Sequence, residues 1–216
     1  MKPLQVTAIM RRELEWERPV ALDGLLARVE ADRRGLHRPR TLDEVVPIDI
    51  PVQRSPCGRF HLASMAHAEG LLYTREQYIH KRAPHEWYAF LCGDKVKRVN
   101  IAQEPDKSWR ICKAGYRYDR VSWWCVGDAD AIREMLRRVT RIGARRRHGI
   151  GLVREWHVAR CSTWEGFPIL RDGLPLRNLP TDYPGLAPGH AVRRGRLTFP
   201  YHLSEGTEQL ACPRPQ

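Results

Sequence analysis

Apolar and polar positions recur with a helical period between Asp128 and Gly143. Apolar side chains return every three or four residues, the spacing that places them on one face of a helix. Asp128 is a suitable N-cap, and Asp130 lies in the first turn, where a carboxylate meets the positive end of the helix dipole. Arg141 and Gly143 are typical of a helix end. We therefore predict an amphipathic helix over 129–142. Its apolar face consists of Ile132, Met135, Leu136, Val139 and Ile142, and the opposite face carries Arg133, Arg137, Arg138 and Arg141.

A loop rich in glycine and arginine follows this helix and precedes a predicted strand over 152–158. Glycines allow a backbone to come close to a ligand. The Rossmann fingerprint and the P-loop run from strand to loop to helix, so that phosphate meets a helix N-terminus. The reversed order here indicates an extended polyanion held by arginines and backbone amides; a solvated turn is the alternative. We call the segment 143–151 the glycine loop. Its candidate binding residues are Gly143, Arg145, Arg146, Arg147, His148, Gly149 and Gly151.

The other periodic segments predict an α+β domain. Leucines at helical spacing predict a helix from Leu22 to about Gly35. A β-α start and an α-β finish fit a ferredoxin-like or RRM-like order, β-α-β-β-α-β, with two helices on one face of an antiparallel sheet. RNA usually lies on the open face of such a sheet. The predicted strands are 4–10, 47–51, 58–64 and a buried central strand 121–126, with a turn at 55–58.

Basic and aromatic residues are interleaved between 75 and 120. Single-stranded nucleic acid is bound by cations that contact its backbone and by flat rings, worth about 1 to 3 kcal/mol per stacked base. We therefore predict an extended β-rich insertion that contacts nucleic acid. The alternative is that Trp87, Tyr88 and Trp109 are ordinary core aromatics. The cations assigned to binding are Lys81, Arg82, Lys95, Lys97 and Arg98.

The composition changes after Val158, because eight prolines lie between residues 160 and 216, too many for helices. We predict one domain over 1–158 that includes the insertion at about 75–120. Residues 159–216 are expected to form an irregular extension packed on that domain or on a partner, with the last few residues loosely held.

The net charge of +12 is concentrated in one stretch. Residues Arg133 to Arg147 contain seven arginines and one glutamate, which is half of the excess. Such clustering is typical of a surface that binds a polyanion. A membrane surface would also attract it, but the medium-sized apolar face of the helix suits core packing better than lipid insertion.

The sequence also limits location and cofactors. No segment approaches the roughly 18 apolar residues of a membrane span, and the N-terminus lacks a signal-peptide core, so we expect a cytoplasmic protein. The six cysteines include no C-x-x-C pair, which argues against a zinc site made of local ligands and favours free thiols. We expect neither a metal nor another cofactor.

The glycine and arginine loop, placed between an amphipathic helix and a strand, resembles the C-terminal glycine-rich loop of the RAMP superfamily of CRISPR-associated RNA-binding proteins. With four other segments, it makes the chain similar to the small RAMP subunit of type IV CRISPR effector complexes, which caps the 5′ handle of the crRNA. The resemblance spans about 4–180. The four segments are 22–27, 47–51 with the following 58–64, 123–128 and 172–177.

This resemblance implies a crRNA-binding subunit of an antiviral ribonucleoprotein complex. Its implied protein partners are the backbone and large subunits of the complex. Whether it also contacts the DNA beside the target is not decided by the sequence. In that family an inserted thumb hairpin grips the handle, and 75–120 is the candidate for it. A separate RAMP endonuclease usually matures the crRNA in type IV systems, so we expect binding without cleavage. Arg138 and Arg141 join the loop residues and the insertion cations as candidate RNA-binding residues.

An endoribonuclease is the main alternative, because RNA can be cleaved without metal by a general base and acid. Some handle-capping relatives in other CRISPR types do cut. The sequence has no two-carboxylate metal signature, G-x-S-x-G, H-E-x-x-H or Walker lysine. A free-standing RNA chaperone is a third interpretation. The side chains that could form a nuclease site are His61, Tyr73, Tyr78, His80, Lys81, His85 and His148.

Overall fold

The computed structural model of the chain describes residues 1–15, 20–81, 109–144, 149–161 and 169–213. They form a strand-rich α+β structure with antiparallel sheets. The strands are β1 (Lys2–Met10), β2 (His67–Lys81), β3 (Trp109–Gly127), β4 (Val153–Arg160), β5 (Leu170–Arg171), β6 (Leu174–Pro175), β7 (Leu179–Pro180), β8 (Ala191–Gly195) and β9 (Glu208–Cys212). The helices are α1 (Leu22–Arg33), between β1 and β2, and α2 (Ala129–Leu136), between β3 and β4.

Four strands form the main antiparallel sheet in the order β2-β3-β1-β4. Side chains of a strand alternate between the two faces of the sheet. In β1 the residues of one face, from Leu4 to Met10, are buried, whereas the intervening residues are half-buried. The buried face packs with α1 and α2 in one hydrophobic core. The helices contribute Leu22, Leu25, Leu26, Ile132 and Leu136 to that core.

The predicted helix after Asp128 is confirmed but is shorter than expected. Asp128 caps it, since its carboxylate accepts hydrogen bonds from the backbone N of Asp130 (2.9 Å) and of Ala131 (3.1 Å). The helix ends at Leu136, whereas we predicted an end near residue 142.

The chain leaves the helix early because it pairs with the segment that returns from the glycine loop. Ile142 N donates to Gly151 O (2.9 Å), and Val153 N donates to Thr140 O (2.9 Å). Val139 and Ile142 are nevertheless buried in the main core. The apolar period therefore predicted burial correctly and the helix end wrongly.

The other predicted elements of the main sheet agree with the structure to within a few residues. The predicted strands 4–10, 121–126 and 152–158 correspond to parts of β1, β3 and β4. The helix from Leu22 ends at Arg33, two residues before Gly35 with its φ of +68°.

The predicted strands at 47–51 and 58–64 are wrong. Residues 52–63 form only isolated bridges, and prolines flanking Ile48–Ile50 cannot donate to a sheet. The predicted turn is confirmed by a 2.8 Å bond from Gly58 N to Ser55 O. The bridges are Val52–Gly127, Arg54–His61 and Ala63–Cys125.

The described part of the predicted insertion is a long two-stranded antiparallel ribbon, formed by β2 and β3. β1 pairs with β3 over residues 120–127, whereas β2 and β3 stay paired as far as Lys81 and Trp109. The ribbon therefore extends beyond the main sheet. Residues 82–108, with Arg82, Lys95, Lys97 and Arg98, lie outside the described residues.

The C-terminal part is more regular than the irregular extension that we predicted. β7, β9 and β8 form a three-stranded antiparallel sheet, and β5 pairs with β6. A second core orders this region, because Phe60 and Leu62 pack there with Ile169, Leu179 and Leu210. The described residues of 159–216 contain no helix, as their proline content predicted.

None of the five cysteines that the structure describes forms a disulfide, and Cys125 and Cys212 are buried in strands. Burial raises the pKa of Cys125 to about 12. In the part of the chain that the structure describes, no helix is long and apolar enough to cross a membrane.

Candidate nucleic-acid interface

Both ends of the glycine loop are held by the short segment that follows β1. Ala144 N donates to Glu15 O (2.7 Å), and Gly151 N donates to Glu13 O (2.7 Å). The chain therefore enters and leaves the loop beside the same three residues, 13–15, which we call the loop anchor.

The same segment is joined to the ribbon. Leu14 N donates to Tyr116 O (2.8 Å), and Tyr116 N donates to Leu14 O (3.0 Å), so residue 14 extends the sheet beside β3. Leu14 is fully buried in the main core. The segment 13–15 thus joins the ends of the glycine loop to the described part of the ribbon, which we call its stem.

Two of the loop glycines are required by the packing of the protein itself. An added Cβ would lie 1.8 Å from Ile142 O at Gly151 (φ +72°) and 2.7 Å from Glu15 O at Gly143 (φ +82°). At Gly149 (φ +80°) such an atom would meet nothing within 4 Å. We expected these glycines to admit a ligand. At Gly143 and Gly151 the close approach is instead to the chain's own backbone, and open space lies beside Gly149.

The carboxylate of Glu13 links the loop anchor to two side chains of β2. The Tyr73 hydroxyl donates to Glu13 Oε1 (2.9 Å), and the Arg75 guanidinium lies 3.8 Å from the same oxygen. Burial opposes the charge of Glu13, but the hydrogen bonds from its own backbone and from Tyr73, with the charges of Arg75 and Arg12, lower its pKa overall. Donation to this carboxylate also raises the pKa of Tyr73. Glu13 is therefore an anion at neutral pH that orients a ring and a cation beside the loop.

The ribbon stem exposes aromatic rings. Tyr73 and Tyr78 are 49% and 50% exposed, and Tyr116 is 38% exposed. The rings of Tyr116 and Tyr118 stack with their centroids 6.3 Å apart. Exposed rings beside cations are the combination that stacks unpaired bases and neutralises their phosphates.

The arginines of α2 and its C-terminal extension differ in their pairing. Arg133 and Arg137 form ion pairs of 2.5 and 2.6 Å with carboxylates of the same helix. Arg138 and Arg141 are exposed, and neither forms an ion pair with any residue that the structure describes. These two predicted binding residues therefore remain available to a phosphate.

Sequence reasoning missed the cations of the loop anchor. Arg11 and Arg12 are exposed, and their backbone N atoms donate to Leu152 O at 2.8 and 3.3 Å, so they lie beside the loop's return segment. Two adjacent arginines at the end of the first predicted strand were the available signal. The contact of Arg75 with Glu13 could not be predicted, because it depends on the path of the ribbon.

The structure brings together only part of the predicted binding set. Gly143, Gly151 and Arg141 lie at or next to the loop anchor, and Gly149 and Arg138 are two or three positions from them along the chain. Lys81 is the last residue of β2, at the far end of the described ribbon. Outside the described residues lie Arg145, Arg146, Arg147 and His148, with Arg82, Lys95, Lys97 and Arg98.

The side chains considered for RNA cleavage contact different carboxylates where they are described. His61 Nδ1 lies 3.9 Å from Asp23, and burial lowers the His61 pKa. Tyr73 donates to Glu13 and Tyr78 donates to Glu76 (3.3 Å). Among the described residues, no three His, Cys, Asp or Glu side chains could hold a metal ion together. Outside the described side chains lie those of His80, Lys81, His85 and His148.

A protein family described as CRISPR type IV associated protein Csf3 matches residues 66–213. The chain belongs to this family. The Csf3 match covers the ribbon, α2, the glycine loop and the C-terminal sheet, and it confirms the expected association with type IV CRISPR systems. No curated protein matches the chain.

Three of the segments on which we based the resemblance meet at one buried arginine of this Csf3-family chain. Arg177 is 1% exposed, and its guanidinium donates to the carbonyl groups of His61 and Ala63. It also lies 3.4 Å from the carboxylate of Asp23, which is equally buried. The buried guanidinium of Arg177 therefore joins three segments in the interior of the fold, namely 22–27, 58–64 and 172–177.

The sheet face opposite the helices is covered over β3, where we expected an open surface for RNA, although Glu155 and His157 of β4 are exposed on the same face. Ser122 and Trp124 of β3 lie on that face, and they are 0% and 8% exposed. The Trp124 ring lies 5.8 Å from the ring of His67. In this Csf3-family chain the exposed rings described above lie on the ribbon stem instead.

Proposed function

We propose that this Csf3-family protein is a non-catalytic crRNA-binding subunit of a type IV CRISPR ribonucleoprotein complex. It grips the 5′ handle of the crRNA between the glycine loop and the ribbon, which serves as the thumb-like insertion. The backbone and large subunits of the complex are its protein partners.

The observation that carries this proposal is the attachment of the loop and the ribbon to one segment, 13–15. The loop that is anchored to this segment at Ala144 and Gly151 contains three arginines and a histidine in its sequence. The ribbon that is joined to the same segment exposes the rings of Tyr73 and Tyr116. Arginine binds phosphate through a planar fork of donors, and tyrosine rings stack on bases, so a single strand of RNA can contact both surfaces at once.

The order of the elements supports the RAMP part of the proposal. The chain runs β1-α1-β2-β3-α2-β4, and the main sheet has the order β2-β3-β1-β4. A ferredoxin-like unit has the same succession of strands and helices. In such a unit the glycine loop joins the second helix to the last strand, the position that the RAMP resemblance assigns to it.

Binding without cleavage is favoured because a general base and acid must both reach one phosphate. His61 is largely enclosed, with its side chain 13% exposed beside Asp23, and its own carbonyl accepts a hydrogen bond from Arg177. Tyr73 is engaged by Glu13 at the loop anchor. His61 and Tyr73 of the candidate nuclease set therefore already contact other residues of the protein.

The test compares two triple variants in binding to the protein's own repeat RNA. The loop variant changes Arg145, Arg146 and Arg147 to Ala, and the control variant changes Arg40, Arg59 and Arg171, which are exposed elsewhere on the surface, to Ala. Both variants lose the same charge. We expect the loop variant to lose RNA retention and the control to keep it, with unchanged thermal denaturation in both.

Salt dependence gives a second measurement. If about five phosphates are neutralised, the slope of log affinity against log salt should be roughly −3 to −4 for the wild-type protein. A flat salt response, or equal loss of binding in the two triple variants, would contradict the assignment of the loop.

A further inference from the structure

A cavity of about 520 Å³ lies between α1, the start of the glycine loop and the C-terminal sheet. Its walls include Leu25 of α1, Ile142 and Gly143 at the loop, and Leu210 of β9. Sites for small organic groups typically enclose about 300 to 1,000 Å³, so one nucleotide fits this volume.

The residues that line this cavity are strongly cationic. Arg28 comes from α1 and Arg193 from β8, and Arg194 and Arg196 follow Arg193 along the chain. Among the lining residues that the structure describes, none is an aspartate or a glutamate. The cavity is thus suited to an anion.

Arg196 adds an unsatisfied donor. Its Nη1 donates to Glu205 O (2.8 Å), but its buried Nε has no hydrogen-bond partner among the residues that the structure describes. An unpaired buried donor costs free energy unless a ligand or water satisfies it. A ligand with acceptor oxygens would satisfy this group.

Apolar and aromatic side chains form the rest of the lining. Phe199 and Tyr201 contribute rings to it. The Tyr201 hydroxyl donates to both carboxylate oxygens of Asp23, at 2.7 and 2.8 Å, which fixes the ring against α1. A Cβ added to Gly24 would lie 2.8 Å from that ring, so the glycine permits the close contact. A rigid ring in an apolar cavity is suited to a flat base.

We propose that this cavity binds a single nucleotide of a single-stranded nucleic acid, with the base inside and the adjoining phosphates on Arg28 and Arg193. The inference rests on the proposed function, because the cavity is continuous with the glycine loop at Ile142 and Gly143. A strand held by the loop therefore passes the cavity mouth, and one unstacked base can enter it.

The combination of surfaces favours a nucleotide over an acidic peptide. Aspartate and glutamate side chains would satisfy the arginines but would leave the aromatic and aliphatic lining in contact with water. A nucleotide satisfies both the arginines and the apolar lining, because its phosphate accepts hydrogen bonds from guanidinium groups and its base covers the apolar surface.

The test uses short single-stranded RNAs that carry one 4-thiouridine at successive positions, photocrosslinked to the full-length protein. We expect one position to crosslink to the peptide that contains Phe199 and Tyr201, and other positions to crosslink to the loop or the ribbon. The double variant Arg28→Ala, Arg193→Ala should lose the cavity crosslink. Its salt slope should also be shallower by about 1.4, for two single-strand phosphates at about 0.7 each.

Arg59→Ala with Arg171→Ala is the matched control. Arg59, like Arg28, belongs to a surface ion pair, and neither control residue lines the cavity. Crosslinks confined to the loop and ribbon would overturn the nucleotide site while leaving the proposed function intact. Failure of every RNA to bind would overturn both. Displacement of the cavity crosslink by polyglutamate as readily as by unlabelled RNA would assign the cavity to acidic peptides instead.

Discussion

Removal of the Arg177 guanidinium should destabilise the protein strongly, because this one buried group contacts residues from both the N-terminal and the C-terminal part of the chain. It donates to Ala63 O (3.1 Å) and Leu197 O (2.6 Å), and it faces the Asp23 carboxylate at 3.4 Å. Arg177→Met keeps much of the side-chain volume but leaves Asp23 as a buried carboxylate without its cation. Breaking a buried ion pair from one side typically costs about 3 to 5 kcal/mol.

Chemical denaturation of four proteins measures this effect: the wild type, Arg177→Met, Asp23→Asn and the double variant. We expect Arg177→Met to lose about 3 to 5 kcal/mol of unfolding free energy. The double variant should lose less than the sum of the single variants, because no unpaired charge remains in it. Arg171→Met, at an exposed position, should change stability by no more than about 0.5 kcal/mol. Strict additivity, or a loss below about 1 kcal/mol for Arg177→Met, would refute the coupling of the two residues.

Three further predictions concern stability. Leu136→Ala should cost about 2 to 5 kcal/mol in thermal denaturation, because Leu136 is fully buried in the main core; a smaller loss would show that α2 packs loosely. Gly151→Ala should be clearly more destabilising than Gly149→Ala, since both require a left-handed backbone but only the first adds a Cβ 1.8 Å from a carbonyl oxygen; equal losses would contradict the described loop packing. Burial lowers the His61 pKa, so the unfolded chain binds a proton more readily, and stability is lost as the pH falls through about 6.5. His61→Gln should weaken this dependence between pH 7.5 and 5.5, and an unchanged pH profile would exclude His61 as its source.

The local features of the main domain could be predicted because they depend on neighbouring residues. The cap at Asp128 needs only a carboxylate before a helical apolar period, and it was predicted correctly. The helix end was not, because an exit from the helix after Leu136 still buries Val139 and Ile142. Periodicity identifies which side chains are buried, whereas the backbone path also depends on the pairing with Gly151 and Val153.

The contacts that hold the site together could not be predicted, because they join distant parts of the chain. Asp23 and Arg177 are 154 positions apart. Glu13 and Tyr73 are 60 positions apart, and no local pattern indicates that their hydrogen bond joins the segment that holds the glycine loop to β2. The C-terminal sheet was missed for a related reason, since its order depends on Phe60 and Leu62 from another part of the sequence.

The central claim, that this protein binds crRNA without cutting it, is tested most directly by incubating it with end-labelled repeat RNA in EDTA. The same reaction is resolved on a native gel for binding and on a denaturing gel for RNA ends. The account predicts that the RNA is bound and remains intact, and that changing His80, Lys81 and His148 to Ala weakens binding in modest steps. One discrete cut made by the wild-type protein and lost in that triple variant would contradict the account.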